Sequence, residues 1–212
     1  EIIRFLPDGI LRTFQVTVAS ILLALLIGLI TGLGRISKVT LVNRIATIYV
    51  EVIRGIPLLV QLFYIYYALG RFFTVPRLSA AIIAMSVCYG AYMGEIFRAG
   101  ILSIPKGQME AALALGMSRR QALRLIILPQ TFRVILPPVG NEFIALLKDS
   151  SLVSILAVSD LLRRGREFAS VSFRYFETYT MVALCYLVLT LFFSKLVAIM
   201  EERLEKRGNT SS

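Results

Sequence analysis

The chain has 212 residues, of which 57% are hydrophobic and 17% charged, with a net charge of +10 and no histidine. Its mean hydropathy of +0.77 is too high for an ordinary soluble domain and excludes disorder. The lack of histidine removes histidine-based catalysis and histidine metal sites, and Cys88 and Cys185, each in an apolar run, are too few for a disulfide scaffold. The two cysteines read as small buried hydrophobes. The positive charge fits nucleic acid, an anionic membrane surface or the basic loops of a membrane protein, and the apolar runs decide for the last.

The first element is the clearest. Residues 13–34 form 22 positions without a charge, and a helix needs about 20 apolar residues to cross a bilayer. No small-residue cleavage pattern leads into a soluble domain, which argues against a signal peptide. The chain opens on Glu1 rather than Met, so the native start is expected upstream. A second apolar run, 45–70, contains Glu51, Arg54 and Pro57, and a third, 78–98, is uncharged until Glu95 and Arg98. A fourth, 131–158, is interrupted by Pro137-Pro138, Glu142 and Lys148-Asp149, and a fifth, 178–200, carries only Lys195. The expected fold is therefore all-α: one membrane domain over 1–212, five spans, and a loop at 99–130. With the N-terminus outside, the inside segments hold thirteen Lys and Arg against nine outside, so the positive-inside rule predicts N-out, C-in.

The loop reads PKGQMEAALALGMSRRQALRLIILPQ over residues 105–130. It predicts a helix at 106–115 closed by Gly116 as a left-handed cap, then a second helix opened by a Ser118/Gln121 capping box and stopped or kinked by Pro129. A DNA-reading helix-turn-helix has similar punctuation, but this loop is pinned between spans on both sides, so no nucleic-acid partner is expected. Met109, Ala112, Leu113 and Met117 form an apolar strip suited to a groove on a soluble partner or to the bilayer surface.

These residues carry a resemblance. Glu110-Ala111-Ala112, Gly116, Ile126 and Leu128-Pro129 match at every spacing the EAA loop of bacterial ABC-importer permeases. Glu51 to Leu59, Tyr92 to Gln108 and Leu147 to Leu152 resemble the branch for polar amino acids, and the resemblance covers roughly 12–207. It implies a permease subunit in the bacterial cytoplasmic membrane that is not itself an enzyme. Glu110, Ala111, Ala112, Gly116 and Met117 would then couple to the ATPase subunit. It also implies an extracytoplasmic substrate-binding protein. Five spans do not easily enclose a polar path, so a second copy or a homologue is expected. No phosphate-binding G-x-x-x-x-G-K-[ST] occurs, so this chain needs no cofactor and ATP-Mg is expected on the separate ATPase.

Ionisable groups inside spans point to function. Glu51/Arg54 and Glu95/Arg98 sit three apart on one helical face and read mainly as local charge pairs. Glu142 lies eleven residues into the fourth span, roughly 16 Å deep, near the middle of an apolar layer about 30 Å thick. Asn141 adjoins it, and Pro137-Pro138 are expected to break the helix beside a cavity. Glu142 and Asn141 are thus candidate substrate residues for an ammonium or guanidinium group, against an interhelical hydrogen bond or ion pair. Asp160 is a third candidate, at the outer mouth, unless it pairs with Arg163 or Arg164. Lys148 and Asp149 are read as neutralising each other. Arg163, Arg164, Arg166 and Arg174 form a solvated face or meet an acidic binding protein, and Tyr64, Tyr66, Tyr67, Phe72 and Phe73 read as an interfacial belt with membrane lipid. The function expected is transport of a polar, cationic amino acid by alternating access, with glutamine, glutamate or another small solute as the alternative and an ATP-independent channel subunit as the different-class rival.

Overall fold

The computed structural model describes residues 6–209; Glu1, at the chain start, and Arg4, one of the nine outer Lys and Arg, lie outside the described residues. Helices build it, and no strand occurs among the described residues. In chain order they are α1 (Pro7–Arg35), α2 (Thr40–Gly55), α3 (Leu58–Gly70), α4 (Arg77–Leu102), α5 (Lys106–Ala114), α6 (Arg119–Ala122), α7 (Leu128–Asp149), α8 (Leu161–Ser172) and α9 (Tyr175–Asn209). A π-helical segment, Leu123–Ile127, joins α6 to α7, and a 3-10 segment, Ser150–Leu156, follows α7. Pro7 and Asp8 in the first turn of α1 suit a helix start, where Pro lacks no needed N–H and a carboxylate meets the positive end of the dipole.

Four helical stretches are long and apolar enough to cross a membrane: Pro7–Arg35, Arg77–Leu102, Arg119–Leu156 and Tyr175–Leu204. A fifth candidate is the pair Thr40–Gly55 and Leu58–Ala68, bent by 108°. The run read as an ordinary span at 45–70 is thus two helices with a sharp corner. Proline is the cause. Pro57 has no N–H to continue the ladder and pushes the preceding residue out of the helical region, and Ile56 sits at φ −106°, ψ 130°. The reverse correction applies to the fourth run. Pro137 and Pro138 lie inside α7, and the helix continues through them. Each removes one bond, to the carbonyls of Arg133 and Val134, but proline's fixed φ is itself helical, so the backbone keeps its course.

The core is organised around α4, which packs on α1, α2, α3 and α7. Of its apolar window 61% is buried, against 6% for α9, whose apolar sides face outward. The α1–α4 contact is the most extensive in the molecule, and its cause is compositional. Gly28 and Gly32 on α1 pack against Gly94 on α4, and Gly90, one turn before it, receives Ile27, so small-xxx-small spacings on both helices let the backbones approach. A Cβ on Gly32 would stand 2.8 Å from the Gly94 carbonyl oxygen, so that crossing admits no side chain. Val16, Ala24, Met85, Met93, Leu146 and Val153 fill the core on either side of the seam. At one end of the seam Arg35 of α1 pairs with Glu95 of α4, which also binds Arg98 at 2.5 Å. The expected Glu95/Arg98 pair forms, with a third member reaching in from α1.

Candidate functional site

A cleft of about 480 Å³ lies between the α2–α3 corner, α4 and α7. Its walls are Arg54 to Leu58 from the corner, Cys88, Tyr89 and Tyr92 from α4, and Glu142, Ala145 and Asp149 from α7. The spacing explains the arrangement. Positions 142, 145 and 149 follow i, i+3, i+7, and 88 and 92 follow i, i+4, so each helix turns one stripe toward the space. Ala145 between the two carboxylates keeps the stripe open.

Glu142 therefore lies in a cleft, as its depth in the sequence suggested, but it is not alone there. Arg54, distant in sequence, lines the same space. Arg54 makes no ion pair with Glu51; its guanidinium lies 5.0 Å from the centre of the Tyr92 ring. Asp149 was overlooked because it was read as neutralised by Lys148. Its carboxylate instead accepts a hydrogen bond from the Tyr89 hydroxyl at 2.8 Å and faces the cleft. The signal was present in the seven-residue spacing from Glu142, two helical turns on one face.

Asn141 and Asp160 are placed elsewhere. Successive helical residues point about 100° apart, so the neighbour of an inward Glu142 need not share its face, and Asn141 is exposed and outside the cleft. Asp160 is fully buried at the N-cap of α8, where its carboxylate accepts from the amides of Leu162 (3.2 Å) and Arg163 (3.1 Å) and from the Tyr186 hydroxyl at 3.4 Å. It bonds the backbone of Arg163 rather than its side chain. Burial pushes this carboxyl up to about 6 even though the amide donors favour its charged form. Among its arginine neighbours, Arg163 pairs with Glu167 at 2.7 Å and Arg164 with Asp8 at 3.8 Å, while Arg166 and Arg174 are exposed.

The loop's caps form as expected, but Pro129 does not stop the second helix. It lies in the first turn of α7, where it lacks no needed N–H, and Arg119–Leu156 runs on as one helical stretch. Gly116 has φ +82°, its amide donates to the Leu113 carbonyl and the Met117 amide to the Ala112 carbonyl, which together close a Schellman cap. The Ser118/Gln121 capping box is present in both directions. The apolar strip divides. Ala112 is buried where α5 packs on α6 and the π segment, whereas Leu113 and Leu115 are exposed, Leu115 by 83%. Glu110 and Ala111 are exposed beside them and Met117 is half-buried. The outward face is thus Glu110, Ala111, Leu113 and Leu115. Leu115 was missed because it sits in the cap rather than on the helical stripe.

A family model, "Binding-protein-dependent transport system inner membrane component", matches residues 24–206. The glutamine transport system permease protein GlnP of Escherichia coli is 39% identical over 206 residues, covering 96% of this chain and 94% of the relative. The L-cystine transport system permease protein TcyB of Bacillus subtilis is 40% identical over 203 residues, covering 95% and 87%. A crystal structure of an amino acid ABC transporter with histidines superposes with a TM-score of 0.89 at 41% identity, covering 94% of each chain. The chain belongs to the family of binding-protein-dependent inner-membrane transport components and is a permease subunit of an amino-acid ABC importer.

Proposed function

We propose that this permease carries cationic amino acids and holds them in the cleft between Arg54, Glu142 and Asp149. The charge inventory of the walls supports this reading. Two carboxylates and one guanidinium are the complement of arginine or lysine, which carry two cations and one carboxylate. Glu142 and Asp149 stand seven residues apart on one helix, about 10 Å along its axis, a separation suited to the two ends of an extended basic amino acid. Arg54 faces the α-carboxylate, and so does the start of α3 at Leu58, while the amides of Val60 and Gln61 behind it are taken by the Pro57 carbonyl. Unpaired, either carboxylate would be costly in this setting, and the solute's cations supply the partners. Asn141 and Asp160 have no part in this site: one is exposed outside the cleft, the other occupied in capping α8.

Transport proceeds by alternating access. ATP and Mg are bound by separate ATPase subunits, which dock on Glu110, Ala111, Leu113 and Leu115, with Ala112, Gly116 and Met117 holding the loop in shape. A second permease copy or a homologue completes the path, an extracytoplasmic binding protein delivers the solute, and the chain runs N-out, C-in.

The test is a titration of arginine, lysine, glutamine and glutamate against the assembled permease–ATPase complex in nanodiscs, with binding heat and ATPase stimulation as readouts. Preference for arginine and lysine is the expected result. A second reading has its own support, since the similar GlnP and TcyB are named for glutamine and cystine. On it the cleft takes a neutral amino acid, with Asp149 already engaged by Tyr89. Glutamine binding as tight as arginine favours that reading and removes the cationic one.

A further inference from the structure

Five wall residues of the cleft, Arg54 to Leu58, belong to the corner between α2 and α3. Such a corner leaves carbonyls without partners. In a continuous helix the Ile53 carbonyl would accept from residue 57, but Pro57 has no N–H, and the Ile56 amide substitutes only at 3.4 Å. The Ile56 carbonyl would accept from Val60, whose amide instead donates to Pro57 at 3.0 Å. One side chain serves both orphans. The amide nitrogen of Gln61, one turn into α3, donates to the Ile53 carbonyl and to the Ile56 carbonyl, each at 2.8 Å. Only an NH2 group makes both bonds, so the contacts themselves fix which way the amide points. Gln61 is 5% exposed and lies behind the wall rather than in it.

We infer that Gln61 is a positioning residue for the solute site: it fastens the α2–α3 corner so that Arg54 and the start of α3 at Leu58 face the cleft, and so sets affinity for the carboxylate end of the solute without touching it. The inference rests on the cleft being the solute site. It differs from a merely structural role in acting on one end of the ligand. Arginine and agmatine share a guanidinium and an amine, but agmatine has no carboxylate.

The experiment measures both ligands on the permease–ATPase complex carrying Gln61→Met, which keeps the length without a donor, and Gln61→Glu, whose carboxyl supplies at most one of the two bonds. The expected result is a loss of arginine affinity of about ten-fold or more, with agmatine affinity changed less than about two-fold, since a hydrogen bond to a charged group is worth about that factor or more. A mutant cycle gives a second measurement without agmatine: in an Arg54→Ala background, Gln61→Met should lose most of its effect on arginine. Equal losses for both ligands, no loss, full additivity in the cycle, or failure of both variants to assemble would each overturn the inference. The combined Glu142→Gln, Asp149→Asn variant separates the two ideas. It should weaken arginine and agmatine alike; if it changes neither, the cleft is not the solute site and the role of Gln61 falls with it. If it weakens both while the Gln61 variants fail the test, the cleft stands and Gln61 is structural.

Discussion

The two carboxylates of the cleft offer a sharp test, because each would serve a different cation of the same solute. Glu142→Gln and Asp149→Asn keep shape and remove charge. A hydrogen bond to a charged group is worth about 1.5–3 kcal/mol, so each substitution should weaken arginine by about ten- to hundred-fold. The two should then diverge on glutamine, which has an α-ammonium but no cationic side chain. The carboxylate holding the α-ammonium should weaken glutamine as much as arginine, and the one holding the guanidinium should leave glutamine nearly unchanged. Because Glu142 and Asp149 lie two turns apart, one group does not serve both ends. With both changed, Arg54 is the remaining charge on the walls and glutamate should gain on arginine. Binding heats in nanodiscs, with ATPase stimulation as a second readout, decide the matter. The reasoning is refuted if arginine affinity survives both substitutions, or if the two act identically on arginine and glutamine.

Gly116→Val puts a β-branched residue at φ +82°, a strain of about 1–3 kcal/mol that the exposed cap relieves by shifting; uptake in proteoliposomes should collapse while the protein still inserts and folds, as seen by a cooperative melting curve. The purified chain alone should hydrolyse no ATP above background, with phosphate release appearing only when an ATPase subunit is added. Gly32→Leu forces atoms against the Gly94 carbonyl and should destabilise by about 1–3 kcal/mol or more, whereas Gly70→Ala, with nothing within 4 Å of its Cβ, should change the melting temperature little. For Asp160 the folded carboxyl is raised to about 6 from an ordinary value near 4, so its contribution is fully present below pH 4 and is lost as pH rises toward 6. Two units correspond to about 3 kcal/mol, and Asp160→Asn, which can still cap α8, should flatten that part of the stability profile in detergent.

The parts of this protein that local chemistry dictates were legible in its sequence. A left-handed Gly116, the Ser118/Gln121 box and the long apolar runs each follow from a few neighbouring residues. Even so, proline misled twice in opposite directions. Pro57 turns the chain because Ile56 before it is extended and the helix restarts at Leu58 in a new direction, while Pro137-Pro138 are tolerated because losing two bonds in a long helix does not change its direction. Single-chain reading has no access to the partner that decides the outcome: Gln61, donating across the corner, makes the break sustainable. The cleft was half legible for a related reason. Depth along the helix singled out Glu142, but Arg54 lines the same space because the end of α2 and the corner after it form one wall of the cleft. Asn141 was chosen by adjacency, which in a helix is the wrong neighbour relation, and Asp160 by its place just past the fourth span, with arginines as its expected rival partners, although its nearest donors are backbone amides.

The placement of the charges has a mechanical consequence under the proposed mechanism. Residues Arg119–Leu156 form one stretch of 38 residues, so the second helix of the coupling loop and the two carboxylates belong to the same rod. Arg54 belongs to α2, beyond the corner. A transporter driven between two states gains work only from a difference in solute affinity between them; a solute bound equally in both shifts nothing. Were all three charges carried on α7, they would move together when the loop is pushed, and the solute would ride with them at constant affinity. Because two sit on the driven rod and one on α2, a tilt of the rod changes the distance between the groups that hold opposite ends of the solute. Under the proposed mechanism, the motion that closes the ATPase would pull the site apart, and the affinity difference would be set by geometry rather than by any chemical change in the residues. The π segment, Leu123–Ile127, lies in this rod between loop and site, where slack in the backbone would decide how much of the push arrives.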